Sequence, residues 1–216
     1  MTPPPAASHI VLLGDSIFDN AAYVRGGPDV VAHLRGEIPH TWKASLVAVD
    51  GAVIDGVARQ VERIPPDATH LVVSAGGNDA LGHSDLLERR ATSSPQVLGW
   101  LADAASGFER RYRAMLARVL ARRLPVTLCT IYNGNLGEPS QRLATTALAV
   151  FDDVILRVAT EHTLSVIDLR LVCTEPSDYA NPIEPSVKGG GKIARAIARA
   201  VGATGPLAVG ARIVAG

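Results

Sequence analysis

A chain of 216 residues, of which 47% are hydrophobic, can bury a sizeable core in one domain, so we expect an ordinary globular protein. Lysine plus arginine balances aspartate plus glutamate at 21 each, and this zero net charge excludes a global field that would attract nucleic acid or an anionic membrane. A small or neutral partner is therefore expected, while the oligomeric state is left open.

The first six residues, Met1 to Ala6, contain no basic segment followed by an apolar one, and no later run reaches the ~18 apolar residues of a membrane span. A cytoplasmic protein without a membrane span is the resulting expectation. Cys129 and Cys173 lie in or just after apolar segments, which favours buried free thiols over a disulfide.

Apolar strand-like segments alternate with helix-like segments along the chain. A buried strand is predicted from His9 to Leu13, and it runs into Gly14-Asp15-Ser16. The other strands are predicted at residues 44–49, 70–75, 125–131 and 164–169. Helices are predicted after Asp29 and over 53–64, 97–123, 141–162 and 192–201, with a short helix and loop in 84–94 and an irregular segment at 173–191.

This alternation is typical of right-handed crossovers that build one parallel sheet covered by helices on both faces. The expected fold is a three-layer α/β/α sandwich with a five-stranded parallel sheet, for which a flavodoxin-like strand order of 2-1-3-4-5 is suitable. The domain is predicted to span residues 9–201, between a lead-in at 1–8 and a tail at 202–216.

Arginines are concentrated in the long helix predicted over residues 97–123, and such a concentration can indicate nucleic-acid binding. The balanced total charge and the absence of interleaved aromatic residues favour a solvated helix face instead. We expect local ion pairs there, for example between Glu109 and Arg113.

Small polar residues and glycines follow three of the predicted strands, and they are the candidates for chemistry. Ser16 could act as a nucleophile, while the backbone N–H groups of Ser16 and Gly51 and the side-chain amide of Asn78 could stabilise an oxyanion. Each segment could instead be a turn, with Asp15 and Asp79 holding it through backbone hydrogen bonds. Their occurrence together, in order after three strands, favours acyl transfer.

The three segments resemble the first three sequence blocks of the SGNH, or GDSL, hydrolases: Gly14-Asp15-Ser16-Ile17, Gly51, and Gly76-Gly77-Asn78-Asp79. The resemblance implies a flavodoxin-like sandwich that hydrolyses an ester, thioester or O-acyl group without a metal or other cofactor. It also implies that Ser16 is the nucleophile and that Gly51 and Asn78 complete the oxyanion hole.

The fourth block of that family, Asp-x-x-His, has a different composition in this chain. Asn181 stands at the position of the Asp, and Glu184 stands at the position of the His that acts as general base. A carboxylate with an ordinary pKa is a weak base toward a serine hydroxyl, although burial beside Ile183 could raise the pKa of Glu184.

Other residues could also contribute to the site. His83 is near Asn78 in sequence and could fold over Ser16 as an alternative base. Asp178 and Tyr179 could line the pocket. Two functions therefore stay open, an esterase in which Glu184 is the base and a non-hydrolytic relative that binds an acylated or polar small molecule. A nucleotide- or phosphate-binding module is less favoured, because no glycine-rich loop has the spacing of a phosphate cradle.

Overall fold

The computed structural model describes residues 7–205, so most of the predicted lead-in and tail lie outside the described residues. Within it, one parallel sheet has the strand order β2-β1-β3-β4-β5, which confirms the predicted fold and order. The strands are β1 (His9–Gly14), β2 (Lys43–Leu46), β3 (His70–Ser74), β4 (Val126–Cys129) and β5 (Ser165–Ile167).

Seven α-helices accompany the sheet in the described part of the chain, together with four short 3₁₀ turns. The helices are α1 (Val30–Glu37), α2 (Ile54–Gln60), α3 (Gly77–Leu81), α4 (Ser94–Leu120), α5 (Ser140–Glu161), α6 (Leu169–Val172) and α7 (Val187–Ala200). The 3₁₀ turns are Ala21–Tyr23, Val61–Arg63, Ser84–Leu87 and Pro176–Asp178.

The two faces of the sheet are buried by different helices. Val11 and Leu13 of β1 pack with residues of α2, α4 and α5, whereas Ile10 and Leu12 pack with residues of α1 and α7. Since successive side chains of a strand point to opposite faces, one uninterrupted apolar strand supplies both cores. This arrangement is the predicted three-layer sandwich.

The central strands are aligned so that their carboxyl ends meet at one edge. Gly14 at the end of β1 is paired with Ser74 at the end of β3, and Val73 is paired with Leu128 of β4. Ligands bind beyond the carboxyl ends of strands in open parallel sheets, so this edge is the expected location of a site.

Several predicted boundaries were wrong. The strand predicted at 44–49 ends at Leu46, because Val47 and Ala48 both donate to the Leu12 carbonyl and leave the regular pairing. The helix predicted at 97–123 spans Ser94–Leu120. The strand predicted at 164–169 spans Ser165–Ile167, since Asp168 accepts from Arg170 N–H and caps α6.

The last helix differs most from its prediction, for it begins at Val187 rather than at Lys192 and includes Gly189, Gly190 and Gly191. Ser186 caps it by accepting a hydrogen bond from Gly189 N–H. A Cβ at Gly190 would lie 3.3 Å from a methyl group of Val30 in α1, so the glycines permit close contact between α1 and α7. This packing outweighs the weak helix propensity of glycine.

Candidate active site

Ser16 lies in a turn that is held firmly at the end of β1. A Cβ at Gly14 would be 2.1 Å from the Ser74 carbonyl oxygen, so only glycine fits there, with φ +148°. The Gln60 side chain accepts from Gly14 N–H and donates to the Gly14 carbonyl, both at 2.8 Å. The polypeptide just before Ser16 is therefore fixed by the neighbouring strand and by α2.

The turn itself is closed by Asp15. Its Oδ1 accepts from Ile17 N–H at 3.1 Å, and its carbonyl accepts from Phe18 and Asp19 N–H. The side chain thus holds the turn, as the sequence suggested. Ser16 is only 7% exposed, and its own N–H donates no hydrogen bond within the described residues. That N–H is therefore available to an acceptor placed beside the hydroxyl.

The other two candidate donors belong to loops that contact each other. Asn78 Nδ2 donates to the Ala52 carbonyl at 3.0 Å, which uses one of its two hydrogens and fixes the amide beside Gly51. Gly51 has φ +74°, a left-handed conformation that favours glycine, and a Cβ there would meet nothing within 4 Å. The left-handed backbone conformation accounts for a glycine at this position.

Asp79 has a different contact from the one expected of a turn residue. Its Oδ2 accepts from Ile54 N–H at the start of α2, and its Oδ1 lies 2.9 Å from an Arg111 nitrogen. Asp79 therefore joins α2, α3 and α4 beneath Asn78, instead of only closing its own loop.

Glu184 is carried by a loop that is fixed at several points. Asn181 Oδ1 accepts from the N–H groups of Ile183 and Glu184, both at 2.9 Å, and the Glu184 carbonyl accepts from Ala180 N–H. The Asn20 amide donates to the Pro185 carbonyl. The asparagine that replaces the family's Asp therefore positions the backbone of Glu184.

The Glu184 side chain is buried next to Ser16. Its exposed fraction is 5%, and Oε2 has no hydrogen-bond partner within the described residues. Burial raises the pKa of Glu184, hydrogen bonding to Ser16 lowers it to a smaller extent, and the negative charge of Asp50 raises it further. A buried carboxylate whose pKa is raised and a serine hydroxyl therefore line the same cavity.

A second buried carboxyl group, Asp15, lies near Glu184. Burial raises the pKa of Asp15 to about 7; the hydrogen bond from Ile17 N–H opposes this shift, and the charge of Glu184 adds to it. The two carboxyl groups disfavour each other's ionisation. A proton on Asp15 would leave the negative charge on Glu184.

The cavity beside Ser16 brings together some of the candidate residues but not all. Asp15, Ser16, Asn78, His83 and Glu184 line a single cavity of about 140 Å³. The His83 ring stacks on Phe151, with 6.0 Å between ring centroids, and no hydrogen bond joins it to Ser16 in the described part of the chain. Hydrogen bonding to Ser16 is one of the influences on the pKa of Glu184, which favours Glu184 over His83 as the candidate base.

Asp178 and Tyr179 are not among the residues that line this cavity, contrary to the expectation from sequence. Asp178 is fully buried, accepting from Lys192 Nζ at 2.7 Å and from Glu175 N–H at 3.0 Å. The Tyr179 hydroxyl donates to the Cys173 carbonyl. These side chains stabilise the base of the loop that carries Glu184.

Two classes of feature were missed from the sequence. One is Gln60, whose only signal is an amide on the otherwise apolar buried face of α2. The other is the set of cavity side chains from α4 and α5, which helical periodicity assigns only to the core. Among residues 7–205, no group of three or more His, Cys, Asp or Glu residues is arranged to hold a metal ion, and no helix is long and apolar enough to cross a membrane.

Comparisons with known proteins identify the family and support the fold. The model of the GDSL-like lipase/acylhydrolase family matches residues 12–189, whereas no curated protein matches the chain. A lipase from a goat rumen metagenome has a TM-score of 0.69 and 20% identity, over 93% of this chain and 100% of its own.

Two Streptomyces structures have similar scores. The extracellular lipase of Streptomyces rimosus has a TM-score of 0.66 and 18% identity, over 89% of this chain and 99% of its own. Phospholipase A1 of Streptomyces albidoflavus has a TM-score of 0.66 and 18% identity, over 90% of this chain and 100% of its own. The likeness to these structures shows a shared fold, and the family match extends over most of the chain. The chain belongs to the GDSL-like lipase/acylhydrolase family.

Proposed function

We propose that the protein is a serine hydrolase that cleaves a carboxylic ester, thioester or O-acyl bond through Ser16, with Glu184 as general base. The observation that carries this proposal is the position of Glu184, whose buried side chain lines the same cavity as Ser16. In the family's fourth block, a histidine fills this role.

In the first step, Glu184 takes the proton of the Ser16 hydroxyl as the oxygen attacks the acyl carbon. The negative charge that develops on the carbonyl oxygen is stabilised by the N–H groups of Ser16 and Gly51 and by Asn78 Nδ2, each worth about 3 kcal/mol of barrier. Glu184 then gives the proton to the leaving group, which departs and leaves an acyl group on Ser16.

In the second step, Glu184 takes a proton from a water molecule, and the resulting hydroxide attacks the acyl-enzyme. Collapse of the second tetrahedral intermediate returns the proton to Ser16 and releases the acid. Raised basicity of Glu184 brings its pKa closer to the operating pH, where general-base catalysis is most efficient. A protonated Asp15 supports this role by leaving the base as the ionised partner.

The experiment compares hydrolysis of p-nitrophenyl esters by the wild type, Ser16→Ala and Glu184→Gln. We expect Ser16→Ala to lose activity and Glu184→Gln to lose a factor of about 10² to 10⁴, the usual contribution of a general base. Glu88→Gln removes an exposed carboxylate and is the control. Equal rates for the wild type and Ser16→Ala would refute the proposal.

The second candidate is a relative that binds an acylated or polar small molecule without cleaving it, and the absence of the family's histidine favours it. A fluorophosphonate probe separates the two functions, since it labels only an activated serine. Stoichiometric labelling that disappears in Ser16→Ala supports the hydrolase. An unlabelled protein that still binds the uncleaved ester would support the binding function.

A further inference from the structure

The cavity beside Ser16 is almost entirely apolar away from the candidate catalytic groups. It lies between α3, α4, α5 and the loop after β4, and its apolar lining includes Leu101, Ile131, Ala147, Leu148 and Phe151. No lysine or arginine among residues 7–205 lines it. Since a carboxylate, phosphate or sulfate buried there would have no cationic partner, the cavity does not suit an anionic group.

The cavity opens toward solvent on one side. Leu81 and Leu87, which also line it, are 46% and 48% exposed. These leucines follow Asn78 in α3 and in the adjoining 3₁₀ turn. An apolar group can therefore enter past them and reach the walls formed by α4 and α5.

The volume of the cavity limits the size of that group. It measures about 140 Å³. A dry cavity of ~150 Å³ lined by aliphatic and aromatic side chains in another protein binds benzene, a molecule of six carbon atoms. A chain of about six carbon atoms would therefore fill the present cavity, whereas a much longer chain would extend into solvent.

The charges around Ser16 indicate which half of an ester occupies the cavity. Glu184 must face the leaving alcohol to return the proton, and its charged neighbour Asp50 accepts from the Tyr23 hydroxyl at 2.8 Å. Neither Asp50 nor Tyr23 lines the cavity. An alcohol placed toward Asp50 and Tyr23 would find polar partners there, which leaves the apolar cavity to the acyl chain.

We propose that this cavity is an acyl pocket for an uncharged aliphatic chain of about six carbon atoms, so that the substrates are hexanoyl-type esters or thioesters rather than acetyl or long-chain ones. The proposal rests on the proposed hydrolase function. Ala147 and Leu101 are its specificity-determining residues, because they limit the space at the walls formed by α5 and α4.

A series of p-nitrophenyl esters from acetyl to dodecanoyl measures the preference. Each buried methylene is expected to raise kcat/KM about fourfold, which gives on the order of 10²-fold between acetyl and hexanoyl. Beyond about six carbon atoms, kcat/KM is expected to level off or fall. A series of acetyl esters of longer alcohols is expected to show no such rise.

Two matched pairs of variants test the walls. Ala147→Phe fills the pocket and is expected to lower the hexanoyl-to-acetyl ratio of kcat/KM at least about tenfold, the loss of two or more buried methylenes. Ala149→Phe places the same side chain on the exposed face of α5 and is expected to leave the ratio unchanged. Leu101→Ala is expected to move the optimum to longer chains, whereas Leu98→Ala, at a position 66% exposed on α4, is not.

Binding provides a readout that does not need catalysis. Hexanamide binding is measured by ligand-observed NMR with three proteins. These are Ser16→Ala alone, Ser16→Ala combined with Ala147→Phe, and Ser16→Ala combined with Ala149→Phe. Binding that only Ala147→Phe abolishes supports the pocket, even if no ester is hydrolysed and the proposed function fails. If Ser16 hydrolyses esters but hexanoyl esters are not preferred, or if kcat/KM rises only with the length of the alcohol, the acyl-pocket proposal is wrong. The proposed hydrolase function would still hold. The acyl-pocket proposal is also wrong if hexanoyl esters are not preferred and hexanamide does not bind.

Discussion

Glu184 is the residue whose chemistry departs furthest from the family pattern, and its surroundings compensate for the change. In the family, an acid orients the histidine by accepting a hydrogen bond from the second ring nitrogen. A carboxylate has no such N–H group, so an acid at position 181 would have no imidazole to hold. Asn181 instead fixes the backbone N–H groups of Ile183 and Glu184. The two replacements are therefore consistent with the proposed mechanism, in which Glu184 is the base and Asn181 positions its loop.

This pairing leads to a prediction for the pH dependence of kcat/KM. The base must be ionised, so wild-type activity should rise with pH through the pKa of Glu184, which burial holds above the ordinary 4.5. Glu184→His combined with Asn181→Asp should rise through about 6.5, the ordinary pKa of histidine. The double variant should be more active than Glu184→His alone, because only the double variant has a carboxylate at position 181 that can orient the imidazole, as in the family's arrangement.

The measurement is the pH profile of kcat/KM for the wild type, the single variant Glu184→His and the double variant. Superimposable profiles for the wild type and the double variant would contradict the assignment of Glu184 as the base. A Glu88→Gln profile provides the control for general charge effects.

For single residues, the sequence could predict which side chains carry the candidate chemistry, but it could predict only part of their surroundings. Ser16 and Asn78 follow strands that proved to be neighbours, so their common edge follows from the strand order. Gln60, Leu101 and Ala147 could not be found, since a helical periodicity identifies a buried face without identifying what that face contacts. Their catalytic or binding roles remain predictions.

Among the elements, α7 shows how packing positions the site from a distance. Its N-terminal turn contacts the loop that carries Glu184, and a Cβ at Gly189 would lie 2.0 Å from the Asp178 carbonyl oxygen. That oxygen also accepts from Ser186 N–H at 2.9 Å. Close approach between α7 and the preceding loop therefore requires glycine at this position.

We predict that Gly189→Ala lowers the free energy of unfolding by about 2 kcal/mol, because the added methyl group forces the backbone apart. Ester hydrolysis should fall as well, since the displaced loop carries Glu184. Urea unfolding and kcat/KM for the same preparation measure the two effects.

Gly99→Ala is the matched control, because a Cβ at this position of α4 would meet nothing within 4 Å. It should raise the free energy of unfolding by roughly 0.5–1 kcal/mol, the difference in helix propensity. Destabilisation by both variants to the same extent would contradict the packing explanation for Gly189.

The elements also differ in how well their sequences predicted them. All five strands were predicted near their observed positions, because buried parallel strands have continuous apolar runs that end in glycine or polar residues. The start of α7 was not predicted correctly, because the low helix propensity of three successive glycines favours a loop. These glycines are required by close packing against α1 and the Asp178 carbonyl, which only the folded structure shows.

Across the whole molecule, exposed and buried charges are distributed differently. Exposed and half-exposed arginines of α4 and α5 pair with acidic residues, including the predicted pair of Arg113 with Glu109 at 2.8 Å. The buried carboxyl group of Asp15 instead accepts a backbone hydrogen bond from Ile17, and that of Asp152 accepts one from Ile131 and lies 3.7 Å from an Arg170 nitrogen. Burial raises the pKa of each to about 7.

These two groups should make stability depend on pH. A carboxyl group whose pKa is higher in the folded than in the unfolded protein keeps its proton only when folded, so its contribution to stability is complete below the ordinary pKa of 3.8 and is lost as the pH rises through about 7. Each contribution amounts to at most about 4 kcal/mol. Asp15→Asn and Asp152→Asn should each reduce the fall in the free energy of unfolding between pH 4 and pH 7, and Asn can still accept the backbone hydrogen bond in both places.

Urea unfolding at a series of pH values measures the slope of the free energy of unfolding against pH. Asp103→Asn, at an exposed position on α4, is the control for loss of a negative charge. A slope equal to that of the wild type in both buried variants would show that these carboxyl groups ionise in the folded protein as they do in the unfolded chain.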